Sequence, residues 1–278
     1  SIWERLADNT YSVDSNFATA ILNGKVYFDK ANVFNVYDIA SGVASATLAL
    51  RRPGTVTYNN GRLLAATNKL YSTGALPGSY SPLHLGLLSQ YTVNTNTWGS
   101  DIGGINSSDP DYKASGIVAG IIGGVVVVVG GTRQDATYND YHYITNLSTG
   151  ITTRGGWTIW GATTRAGCGV GVGSYFYVLS SNTTKFRRCT AAGAWTDLAV
   201  PPKVGGACDC VTYNNKIYFY GGSFSQTIHV YDIATETWST LQPGGPGGNN
   251  PTIVVHGSKL YLFLGLQVWT AELNPDPA

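Results

Sequence analysis

Apolar, aromatic and β-branched residues in this chain come in short runs of about five, each closed by Gly, Asn or Asp, the pattern of strands and tight turns. The stretch from Lys216 to Leu241, KIYFYGGSFSQTIHVYDIATETWSTL, shows the unit most fully. Two such runs flank Gly221-Gly222 and a polar turn, and a third ends at Trp238 and Leu241. A unit of this size has too little core to stand alone. Degraded copies recur at a spacing of about 40 to 50 residues. The pentapeptide VYDIA stands at 36–40 and again at 230–234, VTYNN at 56–60 and again at 211–215, and Trp195 precedes Trp238 by one repeat.

With the strands of a unit labelled a to d, the chain divides into 17–50, 54–101, 113–157, 165–199, 203–241 and 251–273. In the second unit the repeated VTYNN predicts strand a at 56–60 and strand b at 62–67. An excess loop over 68–86, carrying Tyr71, Tyr80 and His84, then precedes strand c. The sixth unit ends after three strands. Its missing fourth is predicted at 1–8, where Trp3-Glu4-Arg5-Leu6 has the Trp-x-x-Leu spacing of 195–198 and 238–241. Such an exchange closes a ring and removes the sheet edges that a linear array would expose. The expectation is a single all-β domain, a six-bladed β-propeller.

At Gly221-Gly222, Tyr231 and Trp238 the chain resembles the kelch-repeat propellers, whose marks are a Gly-Gly pair after strand b, a Tyr in strand c and a Trp six to eight residues on. The likeness is full in the fifth unit and partial elsewhere; the first has Asp29-Lys30 in place of Gly-Gly and no closing Trp. The resemblance implies one of three roles: a binding protein, a peptide-binding interaction module, or a sugar isomerase like the bacterial sialic-acid mutarotases. Copper oxidases of this fold need His and Tyr ligands converging at one mouth, and the four His here are scattered at 84, 142, 229 and 256. No metal or other cofactor is expected.

Composition narrows the partner. Charged residues make up 12% of the chain, half the usual share, and the net charge is +1, so bulk electrostatics attracts neither nucleic acid nor a membrane surface. The apolar run 125–129 is far too short to span a bilayer and reads as a buried strand. With Ser at position 1 and no Met, the chain is expected to be a processed protein or an excised domain. Sequons at Asn106, Asn146 and Asn182 fit an extracellular or virion-surface location.

Cys208 and Cys210 alternate with Asp209, so both thiols share one strand face and the carboxylate takes the other. Alignment of strand b sets Cys168 level with Cys210, which leaves two readings: a Cys168–Cys210 disulfide or buried free thiols.

Candidate binding residues gather where the chain passes from strand d to the next strand a, or from b to c. Arg52, Lys113, Arg165 and Lys203 are expected just before strands a, a partial basic ring suited to a carboxylate. Around them the same connections carry Tyr11, Tyr80, His84, Arg133, Asp135, Trp160, Phe224 and Asn250. Aromatic faces beside amides and charges suit sugar rings, and Trp160 is the stacking candidate because Trp157 can serve as the structural Trp of its blade. The favoured reading is a non-enzymatic, lectin-like binder of a glycan or cell-surface ligand, with a protein partner as the alternative.

Overall fold

In the computed structural model, the described residues are 3–13, 17–30, 33–45, 48–50, 62–73, 87–104, 112–133, 140–156, 166–182, 184–202, 208–221, 226–241, 245–247 and 251–273. The first strand, β1 (Trp3–Arg5), stands apart from the six units that follow. Blade 1 comprises β2 (Ala18–Leu22), β3 (Lys25–Lys30), β4 (Val33–Asp38) and β5 (Val43–Ser45). Blade 2 comprises β6 (Arg62–Ala66), β7 (Lys69–Thr73), β8 (Leu87–Thr92) and β9 (Thr97–Gly104). Blade 3 comprises β10 (Tyr112–Ile122), β11 (Val125–Arg133), β12 (His142–Asn146) and β13 (Thr152–Gly155). Blade 4 comprises β14 (Ala166–Val172), β15 (Tyr175–Ser180), β16 (Phe186–Thr190) and β17 (Trp195–Leu198). Blade 5 comprises β18 (Asp209–Tyr213), β19 (Lys216–Tyr220), β20 (His229–Asp232) and β21 (Thr237–Thr240). The last unit is β22 (Thr252–His256), β23 (Lys259–Leu264) and β24 (Gln267–Glu272), and β1 pairs antiparallel with β24 as its fourth strand.

Each sheet is four-stranded and antiparallel, and the innermost strands β2, β6, β10, β14, β18 and β22 touch in a closed cycle. The six-bladed ring with N-terminal closure is therefore the architecture. Its a–b hairpins are tight because residues that tolerate left-handed backbone sit at the tip, Asn214 (φ 46°) and Asn215 (φ 57°) in blade 5 being one such pair.

Blade 2 departs from the register that the VTYNN repeat predicts. Thr67 (φ 57°) lies in the a–b turn, so Arg62–Ala66 is strand a, paired with Lys69–Thr73 as strand b. Tyr71 is thus a buried strand residue, not part of an inserted loop, and only 74–86 connects b to c. Residues 56–60 lie outside the described residues. The marker that keeps register is Lys-aliphatic-Tyr at the start of strand b, found at 25–27, 69–71, 216–218 and 259–261.

Between blades the core is aromatic. Phe34 of blade 1 meets Tyr91 and Trp98 of blade 2 at 4.8 and 5.2 Å, and Phe186 of blade 4 meets Tyr231 and Trp238 of blade 5 at the same separations. Each Trp also donates its indole N–H to a backbone carbonyl near the end of the preceding blade, Trp98 to Ala49 (2.8 Å) and Trp238 to Ala199 (2.7 Å). This double use of one side chain explains the spacing of the Trp residues in the sequence.

Trp195 does the same with a side-chain acceptor, donating to Nδ1 of buried His142 in blade 3 at 3.2 Å. Burial holds the His142 pKa below its ordinary value. The unfolded chain therefore takes up a proton at higher pH than the folded one, so this term is fully favourable above about pH 6.5 and is lost as pH falls below it. Denaturant midpoints measured from pH 7.5 to 5 are expected to fall more steeply for the parent than for His142→Asn. Equal slopes would show that His142 carries no such linkage.

Candidate functional site

Antiparallel strands a to d run alternately, so every d–a and b–c connection leaves the sheets at one mouth of the channel and every a–b and c–d turn at the other. Of the predicted binding residues, Tyr11 is half-buried in the connection from β1 to β2, at the first of these mouths. Arg133 ends β11, paired with Tyr112 at the same end of blade 3. Arg52, Tyr80, His84, Asp135, Trp160, Arg165, Phe224 and Asn250 lie outside the described residues. Two strand starts differ from expectation. Lys113 is inside β10, not ahead of it, and strand a of blade 2 begins at Arg62, so Arg52 does not immediately precede it.

The channel itself is a cavity of about 340 Å³ lined by all six inner strands. Its walls are mainly small or aliphatic, including Ala20, Gly120, Gly169, Gly171 and Val254, because strands nearest the axis leave little room for side chains. Against that apolar wall, four polar residues stand out: Thr19, Arg62, Asp209 and Thr212.

Arg62 and Asp209 are the first residues of β6 and β18, in blades three apart and so on opposite sides of the ring. Asp209 is held by backbone donors: Cys210 N–H to Oδ1 at 2.9 Å and, from the next blade, Ile253 N–H to Oδ2 at 3.0 Å. Burial raises its pKa, opposed by the Ile253 N–H, the Arg62 guanidinium and the Cys210 N–H. A carboxylate and a permanently charged guanidinium thus face one channel near the mouth that carries the d–a and b–c connections.

Two further polar groups, one in the β1–β2 connection and one in β2, have no hydrogen-bond partner among the described residues. Asn9, 4% exposed, donates its backbone N–H to Leu266 O (2.7 Å) in the β23–β24 turn, yet neither atom of its side-chain amide is hydrogen-bonded. The buried hydroxyl of Thr19 is also without a partner.

Sequence reasoning missed Asn9, Thr19 and Arg62 and gave Asp209 no role. Arg62 was legible through the Lys-aliphatic-Tyr marker at 69–71, which sets strand a of blade 2. Asp209 and Asn9 carried no signal of their own, since each gains its meaning from another blade.

Among the described residues, no group of three or more His, Cys, Asp or Glu is placed to hold a metal ion, and no helix is long and apolar enough to cross a membrane.

A ring of six four-stranded sheets around such a channel defines a six-bladed β-propeller. Residues 206–245 match the family model for the Kelch motif, and that match together with the ring supports a kelch-repeat propeller. Among solved structures, that of YjhT is similar, with a TM-score of 0.72 and 16% sequence identity over 96% of this chain and 95% of the other. At that identity the likeness concerns the fold. A search of curated proteins finds no match.

Proposed function

We propose that this protein is a non-enzymatic binding module that recognises a glycan or other cell-surface ligand at an extracellular or virion surface. The ligand sits at the mouth formed by the d–a and b–c connections. Trp160 supplies the stacking face, Arg52 and Arg165 contact an anionic group, and Tyr11, Tyr80, His84, Arg133, Asp135, Phe224 and Asn250 complete the rim. The observation that supports this reading most is the pair of charged groups near that mouth, Arg62 and Asp209, which line the channel from blades three apart. Such groups suit a polyhydroxylated ligand better than an apolar one.

A glycan array probed at moderate salt tests the class. Sugar hits support the reading, a peptide ligand with no sugar hit replaces it with an interaction module, and turnover of a bound sugar replaces it with an isomerase. For a sugar identified in this way, Trp160→Ala is expected to weaken binding by about 1 to 3 kcal/mol with little change in melting temperature. Full-strength binding by both Trp160→Ala and Arg165→Ala would move the site elsewhere.

A further inference from the structure

Three of the four cysteines meet at one point between blades 4 and 5. Cys168, near the start of β14, and Cys208, the residue before β18, bring their Sγ atoms to 2.6 Å, and Cys210 lies within hydrogen-bonding reach of Cys168. All three are buried free thiols, while Cys189 packs in a separate cluster with Phe176 and Val178 and donates to Thr190 O at 3.0 Å. Cys168 and Cys210 also line the channel, which gives a small reagent a route to the cluster. Of the two readings from alignment the structure has buried free thiols, and Cys208 as well as Cys210 stands against Cys168.

We infer that Cys168 and Cys208 form an oxidation site, closing to a disulfide that staples the inner strands of blades 4 and 5. Cys210 is the neighbouring thiol through which the bond can exchange. The chemistry needs an external oxidant, a small disulfide RSSR. One protein thiol loses its proton and attacks RSSR, forming the mixed disulfide and expelling RS⁻, which takes up that proton as RSH. The second protein thiol, on losing its proton, displaces the remaining RSH. The protein gives up two electrons and two protons, and RSSR becomes two RSH. Burial keeps the Cys168 thiol protonated well above its ordinary pKa, so the first attack is slow at neutral pH and faster in alkali.

A bridge here spans 40 residues of chain, a loop long enough for the cross-link to restrict the unfolded state substantially. It also ties Asp209, which lies between Cys208 and Cys210, to blade 4.

The test treats the full, folded protein with 2-hydroxyethyl disulfide at pH 8.5, followed by denaturing alkylation and trypsin. Cleavage puts Cys168 in peptide 166–185, Cys189 in 189–203, and Cys208 with Cys210 in 204–216. The expected product joins 166–185 to 204–216, with fragmentation placing the bond at Cys208 and both Cys189 and Cys210 alkylated. The melting temperature is expected to rise by about 5 to 10 °C and to return on adding dithiothreitol. Cys208→Ser is expected to abolish the rise and Cys210→Ser to keep it. Four alkylated cysteines after oxidation, or a bond at Cys210 with Cys208 alkylated, would overturn the assignment. Because mapping is done on the parent, the result stands even if a serine variant folds poorly.

Discussion

A chain beginning at Thr10 is expected to lose the cooperative unfolding transition of the full protein, or to melt about 10 °C or more below it. The missing residues are the outer strand of blade 6. In the intact ring β1 pairs with β24 in the register Trp3 to Ala271 and Arg5 to Trp269, and the ladder continues as Leu6 N–H to Val268 O (2.9 Å) and Asn9 N–H to Leu266 O (2.7 Å). Trp3 is 8% exposed and packs at a tilt with its ring centroid 5.1 Å from that of Tyr220 of blade 5, in a cluster that includes Ile228, Leu262 and Ala271. Loss of a buried Trp alone costs about 3 to 5 kcal/mol, against a total stability of about 5 to 15 kcal/mol for a typical domain. Truncation also bares β24 as an unpaired edge, so association of the shortened chain is expected alongside its instability. Calorimetry and sedimentation of the two chains check this, and identical melting would refute closure by the N-terminal strand.

Gly171→Val is expected to destabilise the protein by about 3 kcal/mol or more, an effect as local as the first is global. Blades 3 and 4 approach through glycine. A Cβ at Gly171 would run into the carbonyl oxygen of Ile121 and lie 3.1 Å from Ile122 Cγ2, while one at Gly120 would lie 2.5 Å from the Phe176 ring and 2.9 Å from Gly171 N. Backbone atoms on the inner strands cannot yield as a flexible side-chain tip does, so the blades themselves must separate. Phe176 and Val178, fully buried in the cluster shared by these blades, lose contact when they do. Gly156→Ala is the control, because a Cβ there meets nothing within 4 Å, and it is expected to change stability by less than about 0.5 kcal/mol. Chemical denaturation of the three proteins decides the matter: comparable midpoints for Gly171→Val and Gly156→Ala would mean that the inter-blade contact is looser than described.

Most strands were legible because an antiparallel blade is a succession of hairpins, and a hairpin writes itself locally: alternating apolar runs, then a turn residue that tolerates positive φ. Ring closure was legible for a related reason, since Trp3-x-x-Leu6 repeats the spacing of Trp195 and Trp238 and so names its place in a blade despite lying at the other end of the chain. The register of blade 2 follows Lys69-Leu70-Tyr71 and not the exact pentapeptide match at 56–60. Identity over five residues carries less information about position than the turn between strands a and b, whose backbone geometry fixes which way each side chain points.

By itself, then, the sequence determined the all-β class, the repeat, the six blades and the N-terminal closure, all of which follow from pairing between neighbours or from a recurring spacing. Only the tertiary structure decided which groups face one another around the axis. Arg62 and Asp209 come from blades three apart, Ile253 reaches Asp209 from a neighbouring blade, and Cys168 meets Cys208 across 40 residues. The physical reason is that the ring brings together first residues of inner strands that no hairpin connects, and nothing in the local pattern of a blade records what stands across the channel from it.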